Sequence, residues 1–417
     1  IGEVKRRLLD VLGNMKPSLQ CDKGHCQQGR NRIVVAEELT PALTVDIDPE
    51  QTIGFVTEHG GVNSHAAILA RAMGIPAVSG LAGIRDRIGC GVELLINGER
   101  GEVVIWPTDE TLSTALQSER CAVGMPEPVS PVSGFKVMAN VNMTPDIEQC
   151  LKMRAEGIGL YRTEFEIIAA GRFLSEDELY ERYVSVRKAM ADKTVVFRLF
   201  DIGSDKTLPF MEIPKEANPS LGWRGARLLL GKTELLGTQA RALARASKVG
   251  PVHVLYPMII ELEQFLELKE VFMKEISNVS YGEIRHGVMF EVPSACAQAK
   301  KLFQHVDFAS IGTNDLTQYF FAVDRENERV SYDYNPDRPV FWNLLTDIAD
   351  AAYEAGKSLS VCGELAGDPA YVPKLMAAGI DTVSVSARRI PEVRIAAAKA
   401  GTEVRYAKDT TVKGAVV

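Results

Sequence analysis

The run Thr57-Glu58-His59-Gly60-Gly61-Val62-Asn63-Ser64-His65-Ala66-Ala67-Ile68-Leu69-Ala70-Arg71 combines residue types suited to carrying a phosphoryl group. Gly60 and Gly61 free the backbone for a tight turn. Asn63 and Ser64 are good helix N-caps, and the alanine- and leucine-rich stretch from Ala66 to Met73 predicts a helix. His65 then falls in the first helical turn, beside unpaired N–H groups and the positive end of the helix dipole. That position favours an imidazole bearing an anion. Read alone, the run is equally a glycine turn before a helix whose histidine caps or packs, because short motifs recur by chance.

A second set of reactive side chains lies far along the chain. Arg162 ends the apolar run in Gly159-Leu160-Tyr161-Arg162-Thr163-Glu164-Phe165, and Arg198 and Asp201 lie in Phe197-Arg198-Leu199-Phe200-Asp201-Ile202-Gly203. Glu291 closes Val288-Met289-Phe290-Glu291, Asn314 and Asp315 follow Ser310-Ile311-Gly312-Thr313, and Cys362 and Glu364 close Ser360-Val361-Cys362-Gly363-Glu364. Glu291 and Asp315 offer the hard oxygen ligands that Mg²⁺ takes, with substrate and water completing the octahedron. Arg162, Arg198 and Arg325 offer planar forks suited to phosphate and carboxylate. Each also has a structural reading. Arg162 with Glu164 makes an ion pair, Glu291 or Asp315 caps a helix, and Cys362 is a small buried apolar residue. Their common position at strand ends favours chemistry, since burying unpaired charge is costly.

The elements that must hold these groups follow from periodicity. From Lys136 onward strand-like and helix-like stretches alternate. The predicted strands are Lys136–Val141, Gly157–Arg162, Val195–Ile202, Val252–Met258, Gly287–Val292, Phe308–Thr313, Ser358–Gly363 and Thr382–Ser386. Predicted helices between them include Glu176–Met190, Leu235–Ala246, Leu262–Ile276 and Phe341–Ala355. About eight parallel strands over roughly 260 residues point to an α/β fold of the (β/α)₈ TIM barrel type. A doubly wound open sheet satisfies the same alternation, and counting does not separate the two. In a barrel, all the strand-end residues above would share the C-terminal rim, the catalytic face.

Upstream, Ile33–Ala36 and Ile53–Thr57 predict strands. Gly74-Ile75-Pro76-Ala77-Val78-Ser79-Gly80 returns the chain to a sheet, and Val92–Ile96 with Val103–Trp106 predicts a hairpin around Asn97-Gly98. The expected organisation is an entering helix and loop at 1–29, a small α/β domain at 30–107 and a linker at 108–132. A barrel at 133–400 and a tail at 401–417 complete it. Gly124-Met125-Pro126-Glu127-Pro128-Val129-Ser130-Pro131 gives the linker its semi-rigid, proline-rich character.

Composition narrows the classes. The 417 residues suffice for two or three domains, and 46% hydrophobic with 24% charged residues is ordinary for a soluble globular protein. A net charge of −8 argues against bulk nucleic-acid or anionic-membrane binding. No apolar run reaches the length of a membrane span, and no signal peptide is visible. Seven scattered cysteines read as reduced thiols of a cytoplasmic protein. Cys21-Asp22-Lys23-Gly24-His25-Cys26 fits no zinc spacing well and reads as a loop.

The His65 stretch resembles the phosphohistidine loop of the phosphoenolpyruvate-utilising enzymes: enzyme I of the sugar phosphotransferase system, pyruvate phosphate dikinase and phosphoenolpyruvate synthase. Asn63 stands where threonine is usual. Leu160-Tyr161-Arg162-Thr163-Glu164-Phe165, Asp201-Ile202-Gly203-Ser204-Asp205-Lys206, Asn218-Pro219-Ser220-Leu221-Gly222-Trp223-Arg224, Gly312-Thr313-Asn314-Asp315-Leu316-Thr317-Gln318-Tyr319 and Cys362-Gly363-Glu364 are similar to the family's phosphoenolpyruvate-binding barrel. Asn218 to Arg224 and Asp324 to Tyr332 lean toward enzyme I, although Ser204 stands where enzyme I more often has glycine. The likeness covers about residues 30 to 395, and the amphipathic run Ile1 to Gly13 resembles the helix by which enzyme I re-enters its phosphohistidine domain.

The resemblance implies phosphoenolpyruvate at the barrel mouth on Mg²⁺ held by Glu291 and Asp315. Arg162, Arg198, Arg224 and Arg325, with Asn314, would orient its phosphate and carboxylate. His65, on a swivelling domain, would take the phosphoryl group, and Cys362 would protonate the enolate to pyruvate. The acceptor would be a histidine-containing phosphocarrier protein docked on a helical domain that would precede Ile1, and the barrels would pair as a homodimer. No Walker-type or ATP-grasp-like glycine loop is visible. Two rivals remain: the C-terminal part of a phosphoenolpyruvate synthase or pyruvate phosphate dikinase, and a regulatory or interaction module that retains the fold.

Overall fold

The computed structural model describes residues 32–39, 52–60, 70, 75–89, 91–98, 100–113, 126–144, 146–203, 210–211, 216–325, 327 and 329–409, with the backbone alone at 331 and 402–409. The expected entering helix, the Cys21–Cys26 loop and His65 lie outside the described residues. Two compact units meet at 124/125, inside the stretch read as a linker.

In the first unit, β1 (Arg32–Ala36), β2 (Thr52–Thr57) and β3 (Ala77–Val78) form a three-stranded parallel sheet in the order β1-β2-β3. Parallel neighbours need a crossover connection, and β2 and β3 are joined by one. Within that crossover Ala70 is helical and 2% exposed, packed with Ala36, Leu39 and Phe55. The turn after β2 is pinned to β1: Glu58 N–H donates to Ala36 O at 3.1 Å and His59 N–H to Glu37 O at 2.9 Å. β4 (Leu94–Asn97) and β5 (Glu102–Ile105) form the expected antiparallel hairpin. Asn97 pairs with Glu102, so four residues separate the strands. Asn97 Oδ1 accepts from Arg100 N–H at 3.0 Å and closes the turn, as asparagine does in Asx turns.

The second unit is a closed barrel of eight parallel strands, β6 (Lys136–Val141), β7 (Gly157–Arg162), β8 (Thr194–Arg198), β9 (Val252–Tyr256), β10 (Ile284–Phe290), β11 (Phe308–Gly312), β12 (Ser358–Cys362) and β13 (Thr382–Ser386). Closure comes from β13 pairing with β6, from Thr382 opposite Lys136 to Ser386 opposite Asn140. That pairing removes the open-sheet alternative. The strands read as continuous buried runs, as strands covered on both faces must.

Leu160, Val196, Leu255, Met289, Phe308 and Cys362 pack together from six different strands. Filling such an interior layer stabilises the ring by roughly 1.5–3 kcal/mol for each fully buried leucine. Phe308 closes the lower end, and a Cβ on Gly287 would come within 2.5 Å of its ring. Only glycine lets β10 and the phenyl group approach so closely.

Outside the ring, Glu176–Met190 shows why these helices form where they do. Ser175 and Glu178 make a capping box: Ser175 N–H donates to Glu178 Oε2 at 2.8 Å and Glu178 N–H to Ser175 Oγ at 3.3 Å. Leu179, Tyr183, Val186 and Met190 then face the barrel at helical spacing. The last helix, Ile390–Asp409, runs through the expected barrel–tail boundary at residue 400, and residues 109–113 of the expected linker are helical. The alanine-rich run through Ala400 carries no breaker until Gly401, and one glycine costs a helix only about 1 kcal/mol.

Candidate active site at the barrel mouth

The strand-end residues meet at the C-terminal rim. Arg162 and Arg198 are register partners at the ends of β7 and β8, so two cationic residues stand side by side. Carboxylates offset that repulsion. Arg198, 4% exposed, pairs with Glu164 through Nη2 and with Asp201 through Nη1 at 3.3 Å. Glu164, the residue that the structural reading set beside Arg162, pairs with Arg198 on the neighbouring strand. The Arg162 guanidinium lies 6.0 Å from the Phe165 ring centroid.

Asp201 joins this pair to a second one. Arg224 Nη2 lies 2.9 Å from Asp201 Oδ2, and Arg224 Nη1 donates to Asp315 Oδ1 at 3.2 Å and to the Tyr319 hydroxyl at 3.2 Å. Arg325 stands 3.9 Å from Asp315. Burial works to raise the Asp315 carboxyl, yet Arg224 and Arg325 hold it below its ordinary value. Burial likewise opposes the charge on Arg224, but Asp201, Asp315 and Tyr319 keep it well above the usual arginine value.

Glu291 is the exception among the acids. It sits one residue past β10, 1% exposed, with Oε1 accepting the Met258 N–H at 2.7 Å. Burial, then the charges of Asp315 and Asp201, push its carboxyl up to about 8, against the pull of Arg198 and Arg224. Met258 takes a left-handed φ of 55°, unusual for a residue with a side chain, and so aims its N–H at Glu291.

Cys362 closes β12, 1% exposed. Its Sγ contacts the Ile311 carbonyl at 3.4 Å and the Ser310 hydroxyl at 3.6 Å. Burial pushes the thiol up to about 11, against the Ser310 hydrogen bond and the Arg162 charge. It therefore remains a protonated thiol at neutral pH. Gly363 follows with φ 101°, and a Cβ there would strike Thr313 Oγ1 at 2.3 Å and Asn314 Oδ1 at 2.7 Å. That close approach lets Asn314 Oδ1 accept the Glu364 N–H at 2.9 Å.

The arrangement gathers four guanidiniums, Arg162, Arg198, Arg224 and Arg325, with four carboxylates, Glu164, Asp201, Glu291 and Asp315, around the strand ends. It can bind a polyanion, and its oxygen donors at Glu291 and Asp315 fit a hard divalent cation, whose charge would relieve the like-charge strain on Glu291. Among the described residues no three metal-ligating side chains cluster around one point, so two carboxylates are the available protein donors.

The sequence reading left several contributors unassigned. Asp201 was placed at a strand end without the bridging role it has between Arg198 and Arg224. Tyr319 lies four residues after Asp315 on the helix Thr313–Phe320, a spacing that puts both on one face and was available as a signal. Gln239 gave none. From its outer helix it accepts the Phe200 N–H at 3.0 Å and donates to Thr163 Oγ1 at 2.9 Å, fixing the end of β8.

A family model described as PEP-utilising enzyme, PEP-binding domain, matches residues 117–402. The chain belongs to the PEP-utilising enzymes. A second model of the same family, its mobile domain, matches residues 28–101. Among relatives, the phosphoenolpyruvate-protein phosphotransferase of Bacillus subtilis (strain 168) is 40% identical over 87% of this chain and 66% of that protein. That of Lactococcus lactis subsp. cremoris is 40% identical over 87% and 66%, and that of Staphylococcus carnosus (strain TM300) is 37% identical over 87% and 66%. The chain thus spans 66% of the length of these PEP-utilising relatives. The family membership expected from the His65 loop and the strand-end motifs is borne out.

Proposed function

We propose that this chain is the phosphoryl-accepting and phosphoenolpyruvate-binding portion of a phosphoenolpyruvate-protein phosphotransferase. The observation that carries the reading is the convergence of Arg198, Arg224, Arg325, Glu291 and Asp315 on one buried rim. The names of the PEP-utilising relatives support the same class of reaction.

Arg162, Arg198 and Arg325 would bind and orient the phosphate and carboxylate of phosphoenolpyruvate, with Arg224 and Asn314 fixing the rim around them. This is positioning plus electrostatic stabilisation, the main contributions in phosphoryl transfer. Glu291 and Asp315 would hold Mg²⁺, which when bound neutralises phosphate charge and fixes the ester's orientation. His65, as a neutral imidazole on a mobile 30–107 domain, would attack phosphorus in line; the P–N bond forms as the P–O bond to enolpyruvate breaks. Cys362 would give its thiol proton to the enolate carbon, yielding pyruvate. The phosphoryl group would pass to a histidine-containing phosphocarrier protein, in the cytoplasm, from a homodimer paired through the barrel.

Mixing the protein with phosphoenolpyruvate and Mg²⁺ should release pyruvate in a burst of about one per chain, because phosphohistidine accumulates when no carrier is present. His65→Ala should give no burst. A burst that persists in His65→Ala would overturn the reading. ATP-dependent phosphorylation of His65 would instead favour a synthase or dikinase.

A further inference from the structure

At the opposite end of the barrel, the entrances of β8, β9 and β10 enclose a recess of about 190 Å³. Arg187, Lys193 and Arg285 line it, against one carboxylate, Asp192. The N-terminal face of such barrels ordinarily serves stability, so a cationic recess there is unexpected.

Arg187 is the central feature. It is 2% exposed, and among the described residues no carboxylate forms an ion pair with it. Nη2 donates to the carbonyls of Ala191 and Lys193, the latter at 2.7 Å, and Nη1 donates to Pro251 O at 3.3 Å. These use three of its five donors. Among the described residues the buried Nε has no hydrogen-bond partner, and neither has the buried Nδ1 of His253, which also lines the recess. Lys193 Nζ donates to Ala155 O at 2.7 Å, and Arg285 stands at the exposed rim beside Glu283 at 2.6 Å.

Burial lowers Arg187 against the opposing charge of Asp192, and an unpaired buried donor adds a further cost. The carbonyl contacts tie the loop before β8 in place and the His253 ring packs edge-on against Phe308 at 5.3 Å, but neither accounts for Arg187 Nε or His253 Nδ1. We propose that this recess binds a small phosphate-class dianion, inorganic phosphate or a small monoester, through Arg187, Arg285 and the His253 ring. Three cations against Asp192 and, at the rim, Glu283 leave the recess net positive, and a tetrahedral oxyanion can accept from Arg187 and Arg285 at once, within a volume of about 190 Å³ that admits a phosphate. Burial also pushes His253 down to about 4, so its ring is neutral and can donate one N–H. The inference does not depend on the catalytic reading.

Histidine-ring NMR of the whole chain tests it, with the His253 signal assigned by a His253→Gln variant. Sodium phosphate and glycerol 3-phosphate are titrated against sodium chloride at matched ionic strength. Saturable movement of the His253 resonances with either phosphate, absent with chloride, is the expected result; the tighter of the two identifies the free ion or the monoester as the preferred source. Arg285→Ala, at an exposed position, should weaken binding about tenfold, and Arg187→Gln should abolish it. An unmoved His253, an equal response to chloride, or unchanged affinity in Arg285→Ala would each overturn the proposal. If Arg187→Gln does not fold, the Arg285→Ala titration decides.

Discussion

Glu291 and Asp315, at the ends of the paired strands β10 and β11, are both buried, yet their carboxyls move in opposite directions: Asp315 down, Glu291 up to about 8. The difference lies in their partners. Asp315 has the Arg224 guanidinium at 3.2 Å, whereas Glu291 has a backbone N–H at 2.7 Å and the Asp315 and Asp201 charges against it. In the proposed reaction this unbalanced carboxylate is where a divalent cation is needed. Glu291→Gln keeps the Met258 hydrogen bond and cannot take on the negative charge that Asp315 and Asp201 oppose. Its melting temperature should therefore not fall, while the pyruvate burst rate drops by roughly 10³-fold. A fully active Glu291→Gln enzyme would remove Glu291 from the site.

Asp201 holds Arg198 and Arg224 together, at 3.3 and 2.9 Å. Asp201→Ala leaves two buried guanidiniums short of a counter-charge, and breaking such a network costs about 3–5 kcal/mol. Urea unfolding should show that loss. The milder Asp201→Asn keeps hydrogen-bond acceptance at one oxygen, and should raise the KM for phosphoenolpyruvate more than it lowers kcat.

Cys362 separates two steps. With its thiol pushed up to about 11, it carries a proton at pH 7 and can deliver it. Cys362→Ala should leave phosphorylation of His65 within about tenfold of wild type while slowing pyruvate appearance by 10²-fold or more, the usual range for a lost general acid. Parallel loss of both would show that Cys362 only fills the barrel interior beside Leu160 and Met289.

Much of the fold is legible in the sequence. Lys136–Val141, Gly157–Arg162 and Thr382–Ser386 occupy the ranges expected of them, because each is an apolar run bounded by polar or glycine punctuation. Other ends moved for tertiary reasons. The run expected to extend from Val195 to Ile202 leaves the ladder after Arg198: Leu199 still bonds Leu255 O at 2.9 Å, but Phe200 N–H turns to Gln239. The expected Gly287–Val292 begins instead at Ile284, because Ile284 to His286 pair with Val252 to Val254 on β9.

Charge partners were the least readable part of the site. Nothing in the sequence joins Glu164 to Arg198, 34 residues on; the register of β7 on β8 brings them together, and register is a property of the closed ring. The cationic recess at the far end was equally hidden, since Arg187 sits among the polar positions of an ordinary amphipathic helix.

His286 gives the acid limb of stability. It is 6% exposed, joined to the Tyr256 hydroxyl at 2.9 Å, and burial pushes it down to about 4. Its folded value lies below the ordinary histidine value, so the unfolded chain binds the extra proton first. Its contribution is complete above about pH 6.5 and is lost as pH falls toward 4, at about 1.4 kcal/mol per pH unit within that window. Urea midpoints between pH 7.5 and 4.5 should fall accordingly, and His286→Gln should reduce the slope to the part that His253, also pushed down to about 4, contributes. A wild-type slope that His286→Gln leaves unchanged would assign it to other groups.

The most direct measurement is incubation of the chain with radiolabelled phosphoenolpyruvate and Mg²⁺, followed by location of the label. The account predicts acid-labile, base-stable label on His65, lost in His65→Ala, in Arg198→Ala and on chelation of the metal. Wild-type protein that takes up no label, or label that survives in His65→Ala, would contradict it.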